Sequence, residues 1–300
     1  MKIINSTFAV HIDCDNLWVY EKEFGLISSN AYDEIYNNSL TNLLELLDIH
    51  NIKATFFVVG SELTRESCKY FVIKAISMGH AIANHSYSHH DSFGNLSSTD
   101  LYTEIITTHK LIQNLGYNPI GFRCPGYQLS VKVLKILGQL NYLYDSSSLP
   151  GPTGLLIKGY MLFKSSGSGR NKNFNEIKSF FARRKLFKYS NTEFNNLYEL
   201  PLAVTKFWRL PIHSTFAFKF GKSYVLKAID KLKKTPGHHI YLLHAIDLID
   251  SDLNIFTSIK KNIPTLSSPK YYRFSLLNEI FSSISKHTIL TESLFLNKSK

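Results

Sequence analysis

Cysteine is scarce: three residues in 300, at Cys14, Cys68 and Cys124. So few thiols argue against a disulfide framework and suit a reducing compartment. None lies in a CxxC pair, which removes the common zinc-ribbon patterns. Uninterrupted apolar runs of about 18 residues are also missing, so no stretch reads as a bilayer-spanning helix. The opening residues, MKIINSTFAVHID, hold neither a basic segment with a long apolar stretch nor a small-residue cleavage site. The expectation is a chain without a signal peptide that stays in the cytoplasm, peripheral to the inner face of the membrane at most. Internal repeats and long low-complexity tracts are absent as well.

Acid is in short supply, with 23 Asp and Glu against 34 Lys and Arg, a formal charge of +11. The imbalance is local. From Lys158 to Lys188 there are nine basic residues and one acid, Glu176, which accounts for +8 of the total. Such a segment suits an anionic membrane surface, a phosphate-bearing substrate or nucleic acid; it equally suits a solvated loop and helix face. No nucleic-acid motif accompanies it, so nucleic acid is not expected as a partner. Hydrophobic residues make up 44% of the chain, enough for a sizeable core, and overall disorder is excluded.

Strand and helix signals alternate. Thr7–Ile12 is β-rich, and Leu40, Leu43, Leu44 and Leu47 then share one helical face. Ala54–Val59 reads as a buried strand, Glu66–Met78 as a helix stopped by Gly79, and His80–Asn84 as a short strand. A helix over Leu101–Leu115, a strand at Ile120–Phe122, a helical face from Val133 to Leu140 and an extended Tyr142–Tyr144 follow. Leu197–Val204 and His239–His244 read as strands around a helix at Ser223–Lys233. Tyr271–Ser285 reads as the last helix and Thr288–Thr291 as the last strand. This alternation implies parallel βαβ units. The predicted fold is α/β: one domain over 1–300, a distorted (β/α) barrel of about seven or eight strands, with a basic insertion around 150–195 over one face.

Titratable residues gather where these strands end. Asp13 and Asp15 follow the first, His85 and His89 the third, and Arg123 the fourth; Asp145 follows Tyr144, and His244 closes HIYLLH. In a parallel barrel such ends open onto one rim, where catalytic groups collect. In HSYSH, two imidazoles four residues apart can share a metal with one carboxylate. His80 and His90 read instead as structural histidines. Arg123, just before Pro125 and Gly126, can pair with whichever aspartate stays free of metal. His244 is a candidate proton donor. Asp145 either orients that imidazole or forms an Asx-turn or helix cap in YDSSS. Cys14 and Cys124 flank the site as small packing residues.

These motifs resemble, in content and order, the NodB-homology class of polysaccharide deacetylases, carbohydrate esterase family four. The resemblance covers roughly 7–149 plus LLHAID. It implies that in HIDCD Asp13 is the general base and Asp15 a metal ligand, and that His85 and His89 complete the ligand set. It implies further that Arg123 of FRCPGY orients Asp13, that His244 is the general acid and, more loosely, that Asp145 is its partner. The first motif reads Asp-Cys-Asp-Asn where the class usually has Asp-Asp-Gly, as in branches acting on lipid-linked sugars or peptidoglycan. Gly126 stands where the class has tyrosine, followed by Tyr127, so the backbone N–H facing an oxyanion belongs to one or the other. The implied activity is metal-dependent removal of an N-acetyl or N-formyl group from an amino sugar. The implied substrate is a cell-envelope glycan or a lipid- or nucleotide-linked precursor. The implied metal is one divalent ion, most simply Zn2+, with Co2+, Ni2+ or Mn2+ as alternatives. The rival reading is a non-catalytic carbohydrate-binding relative, with Trp18 and Trp208 as sugar-stacking candidates.

Overall fold

The run FAVHID supplies strand β1 (Ser6–Asp13), whose last six residues are all buried. Near-continuous apolar runs of this kind belong to parallel sheets covered on both faces. In the computed structural model, which describes residues 5–26, 28, 30–151, 182–250, 260 and 263–296, β1 lies between two other apolar strands. They are β2 (Ala54–Val58) and β8 (Gly237–His244), and both run parallel to β1. Beyond β2 lie β3 (Ala81–Asn84), β4 (Gly121–Phe122), β5 (Tyr144–Asp145), β7 (Tyr198–Glu199) and β6 (Phe187–Lys188). Every pairing is parallel except β6 with β7. The sheet curls until its ends meet. Leu202, just past β7, bridges Ile240 of β8, and the Ala203 N–H donates to the Ile240 carbonyl at 3.1 Å. This is the predicted distorted (β/α) barrel, eight-stranded among the described residues.

The helices obey local rules. α1 (Leu17–Phe24) is capped by Asn16, whose side chain accepts from the Leu17 N–H, and it stops at Gly25 in the left-handed conformation. α2 (Thr41–Ile49) buries Leu43, Leu44, Leu46 and Leu47, and α3 (Glu66–Ser77) buries Cys68, Phe71, Val72 and Ala75. α4 (Ser98–Asn114) is capped by Ser97, and α5 (Val131–Gln139) by Ser130. α6 (Ser214–Phe220), α7 (Lys222–Lys233), α8 (Lys270–Ile284) and the short α9 (Ser293–Leu296) complete the layer. No helix among the described residues is long and apolar enough to cross a membrane.

Two predicted strands shrink. Leu197–Val204 keeps only Tyr198–Glu199 as strand, because Pro201 has no N–H to give the ladder. The chain then contributes isolated bridges at Leu202 and Val204. Thr288–Thr291 makes a single bridge, Thr288 to Phe8. β2 pairs with β1 only from Val10 onward, so the stretch before it is open on that side and Thr288–Ile289 fills it. Most of the basic stretch Lys158–Lys188 lies outside the described residues; of it, 182–188 are described and lead into the antiparallel strand β6.

Candidate active site

The parallel register places the strand ends side by side. Asp13 is level with Phe57 of β2 and His244 of β8, and Asn84 of β3 is level with Phe122 of β4. Asp13, Asp15, His85, His89, Gly126, Tyr127 and His244 line one cavity of about 220 Å³. Val19, Tyr20, Glu23 and Phe24 of α1 form a wall.

Asp15 does not share a strand with Asp13. β1 ends at Asp13, and Asp15 sits in the following loop, fixed by its neighbour Asn16. Asn16 donates to the Tyr32 carbonyl at 3.1 Å and to Glu62, which also accepts from Trp18 Nε1 at 2.6 Å and Tyr36 OH at 3.0 Å. Trp18 is thereby a tether of this loop. Trp208 is 79% exposed and does not line the cavity.

His85 and His89 reach Asp15 from the loop after β3. That loop needs positive φ at Ser86 (63°) and His89 (45°). It is held by Asn84, which accepts from the Ser86 N–H, and by Glu104, which accepts from the N–H groups of Tyr87 and Ser88. Asp15 Oδ1 lies 3.4 Å from His85 Nε2 and 3.3 Å from His89 Nε2. The ligand atoms of all three residues fall within 4.8 Å of one another. His85 Nδ1 donates to the Arg123 carbonyl at 2.8 Å, so its Nε2 lone pair faces Asp15. A hydrogen bond from the far ring nitrogen fixes the tautomer and orientation of a metal-binding imidazole. Asp15 Oδ1 is buried without a hydrogen-bond partner of normal length among the described residues, an expensive state for an ionised oxygen. Burial would push the Asp15 carboxyl up, but His89, His85 and His244 together hold it well below the usual range. Two facing imidazoles and an ionised carboxylate fit a divalent transition metal. The residues present therefore suit the metal that the motifs imply.

Beneath the cavity, Arg123 is fully buried. Nη1 donates to Asp13, Nε to the Ser146 carbonyl at 2.8 Å, and Nη2 to Ser146 Oγ at 2.9 Å and His11 Nδ1 at 2.8 Å. The guanidinium also stacks over Phe57, 4.1 Å from its ring centre. His11 must accept at Nδ1, so its Nε2–H donates to Thr291 Oγ1 at 2.7 Å. Burial, and then the Arg123 charge, push His11 well below its ordinary pKa, which fits that neutral tautomer. Asp13 is thus an ionic partner held from below with its carboxylate open to the cavity.

After Arg123 the chain turns through Gly126 (φ 54°) and Tyr127 (φ 58°), two successive left-handed residues. The Tyr127 N–H is already used, donating to the Cys124 carbonyl at 3.1 Å, and the Gly126 N–H has no backbone acceptor among the described residues. Of the two, Gly126 is the one free to face a ligand. Cys14 and Cys124 are buried, which pushes both thiols up and away from nucleophilic use.

Across the cavity, His244 ends β8. The expected partnership with Asp145 is not formed. Asp145 accepts from the Ser147 hydroxyl at 2.6 Å and the Ser147 N–H at 3.2 Å, an Asx-turn, and hydrogen-bonds to Glu199. Asp145 belongs to β5 itself, where its register is with Glu199. The carboxylate beside His244 is Asp247, which accepts from the His244 backbone N–H at 2.9 Å. A second imidazole, His213, packs 6.0 Å from His244, ring centre to ring centre, and burial pushes it down to about 3. His80 and His90 serve the fold: their Nδ1 atoms accept from the N–H groups of Ala54 and Ser92. Glu62, Glu104, His11, Ser146 and Glu199 escaped the sequence reading. Of these, His11 and Glu199 carried a visible signal, since each interrupts an apolar strand.

The family description of polysaccharide deacetylases matches residues 29–144, which span His85, His89, Arg123 and the Gly126 turn. Residues 29–144 are thus similar to polysaccharide deacetylases. A peptidoglycan-N-acetylglucosamine deacetylase of Listeria monocytogenes is 30% identical over 110 residues, covering 36% of this chain and 23% of that protein. A peptidoglycan-N-acetylglucosamine deacetylase of Bacillus cereus is 31% identical over 102 residues, 34% of this chain and 36% of the relative. The matching stretch thus spans only about a quarter to a third of the length of these relatives. A solved structure from Mycobacterium smegmatis, assigned as a polysaccharide deacetylase, superposes with a TM-score of 0.59 at 18% identity, covering 95% of this chain and 87% of that one. It shares the fold.

Proposed function

We propose that this chain hydrolyses the N-acyl group of an acylated amino sugar, with a divalent metal, most simply zinc, held by Asp15, His85 and His89. One observation carries the reading: those three side chains converge beside a second carboxylate, Asp13, that a buried arginine holds in place. A bound divalent ion supplies an acidified water and a polarised acyl carbonyl. The protein's own groups do the rest. Asp13, kept oriented by Arg123, takes the proton of the attacking water. The Gly126 N–H donates to the oxyanion that develops at the carbonyl oxygen. His244, on the far wall, gives a proton to the departing amine, which leaves very slowly without one.

The cavity is smaller than the ~300–1,000 Å³ typical of drug-sized ligands, which suits one sugar ring and its acyl arm. Relatives named for peptidoglycan N-acetylglucosamine support an envelope glycan, or a lipid- or nucleotide-linked precursor of one, as the substrate. A purely carbohydrate-binding role has no use for a second carboxylate held in orientation beside the three converging side chains. Elemental analysis of the purified protein, paired with acetate release from N-acetylglucosamine oligomers and peptidoglycan fragments, tests the proposal. About one bound divalent ion and acetate release that stops on chelation are expected. A protein that binds no divalent ion, or that deacetylates equally well without one, refutes it.

A further inference from the structure

Behind the site, on the side away from the cavity, two fully buried carboxyl groups touch. Asp145 and Glu199 are register partners on β5 and β7 and hydrogen-bond to each other. A hydrogen bond between two carboxyl groups requires a proton, and like charges in contact without water cannot both stay ionised. We propose that Asp145 and Glu199 share a single proton and that this pair, through Ser147, positions the Cys124–Gly126 turn.

The donors around the pair decide where the proton resides. Asp145 accepts two hydrogen bonds from Ser147 and feels the Arg123 charge. Glu199 accepts from the Ser148 N–H at 2.9 Å and Tyr189 OH at 2.6 Å and faces no cation among the described residues. The Cys124 thiol also lies in the field of both carboxyls, and burial, then Asp145, push it up, so it stays neutral. The proton therefore sits on Glu199 and the charge on Asp145. Burial, the largest influence, pushes both carboxyls up, Glu199 further.

The linkage to the site runs through three consecutive serines. Ser147 Oγ donates to Asp145 and accepts from the Cys124 N–H at 2.8 Å. Ser146 holds Arg123 through its carbonyl and hydroxyl, and the Ser148 N–H is held by Glu199. Without Asp145, Ser147 loses the acceptor that fixes its hydroxyl, and the Cys124 N–H loses a fixed partner. Asp145 and Glu199 are thus positioning residues that act at a distance from the substrate. The statement that the turn matters for catalysis rests on the hydrolase reading above; the shared proton does not.

Glu199→Gln, Asp145→Asn and Asp145→Ala, made in the full chain, test it. Infrared spectra at pH 7 should show a protonated-carboxyl band in the wild type that Glu199→Gln removes. Amide hydrogen exchange at Cys124 should be about tenfold faster or more in Asp145→Ala, yet near wild type in Glu199→Gln and Asp145→Asn, where an amide replaces the shared proton. In acetate-release assays Asp145→Ala should lower kcat about 10- to 100-fold with KM within about threefold, and Asp145→Asn should restore most of it. An unchanged carboxyl band in Glu199→Gln overturns the shared proton, and unchanged Cys124 exchange in Asp145→Ala overturns the positioning. A wild type that releases no acetate but passes both of those tests refutes the hydrolase reading alone.

Discussion

The two halves of the barrel are held together differently. β1, β2, β3 and β8 are four to eight residues long and cohere through backbone ladders and buried Val, Ile, Leu and Phe. β4, β5, β6 and β7 are two residues each, too short for a ladder to hold alone. Buried polar side chains take its place there: Arg123 with Ser146, Asn84 with Tyr142, Asp145 with Glu199 and Tyr189. The ladder half carries Asp15 with its two facing imidazoles and most of the cavity. The polar half orients the arginine and the Gly126 turn. A half built on ladders tolerates loss of a rim side chain, whereas a half built on polar bonds loses structure with each bond removed.

The largest expected effect tests the ladder half. His85→Ala should abolish divalent-metal binding and reduce acetate release to background, while the far-ultraviolet circular dichroism stays that of the wild type. Retained metal and activity would remove His85 from the ligand set. Loss of folding would show that rim and scaffold are not separable.

Arg123→Met tests the polar half and should be destabilising outright. Breaking a buried ion pair typically costs about 3–5 kcal/mol, because the remaining charge keeps no partner. Here Asp13 would stay buried with its cation gone, and Ser146 and His11 would each lose a donor. Urea unfolding reads the difference. A change below about 1 kcal/mol would mean that the ladder carries β4 after all.

What was legible in the sequence divides along the same line. FAVHID and HIYLLH are long enough for hydrophobicity to declare a strand, and their terminal Asp13 and His244 point to a rim. Two-residue strands such as Gly121–Phe122 and Tyr198–Glu199 have no periodicity to read, and LYELPLAV misled because its apolar run hides Pro201. Asp145 shows the cost. A titratable residue at a strand end suggests a group facing the site or an Asx-turn, and the register of a two-residue strand turns it toward Glu199 with the Asx-turn formed. Glu62 and Glu104 sit on a short helical turn and a helix, and nothing local marks them as supports for loops 46 and 16 residues away.

Gly121→Ala is a smaller probe of the polar half. A Cβ at Gly121 would lie 2.1 Å from the Tyr144 ring, which is buried and bonded through its hydroxyl to Glu292 at 2.6 Å. Overpacking of a fixed ring costs typically about 1–3 kcal/mol. A drop in that range with an unchanged m-value would show that β4 and β5 meet through close packing as well as polar bonds.

pH separates the halves by sign. In the ladder half, His80 is buried against Phe56 and accepts from Ala54, and burial, then Lys53, push it down to about 4. The native state binds fewer protons there than the unfolded chain, so the stability His80 contributes is full above about pH 6.5 and is lost as pH falls toward 4. In the polar half, burial raises Glu199 above its ordinary value. The native state keeps a proton that the unfolded chain releases, so this contribution is full below about pH 4.3 and is lost as pH rises. Unfolding in urea at several pH values separates them. His80→Gln should reduce the loss of stability between pH 7 and pH 4.5 by about 1–2 kcal/mol, and Glu199→Gln should flatten the decline between pH 5 and pH 7 by up to about 1.4 kcal/mol per unit. If both variants shift the profile in the same direction, the two halves do not bury their titratable groups in opposite protonation states, and the contrast between them fails at its electrostatic root.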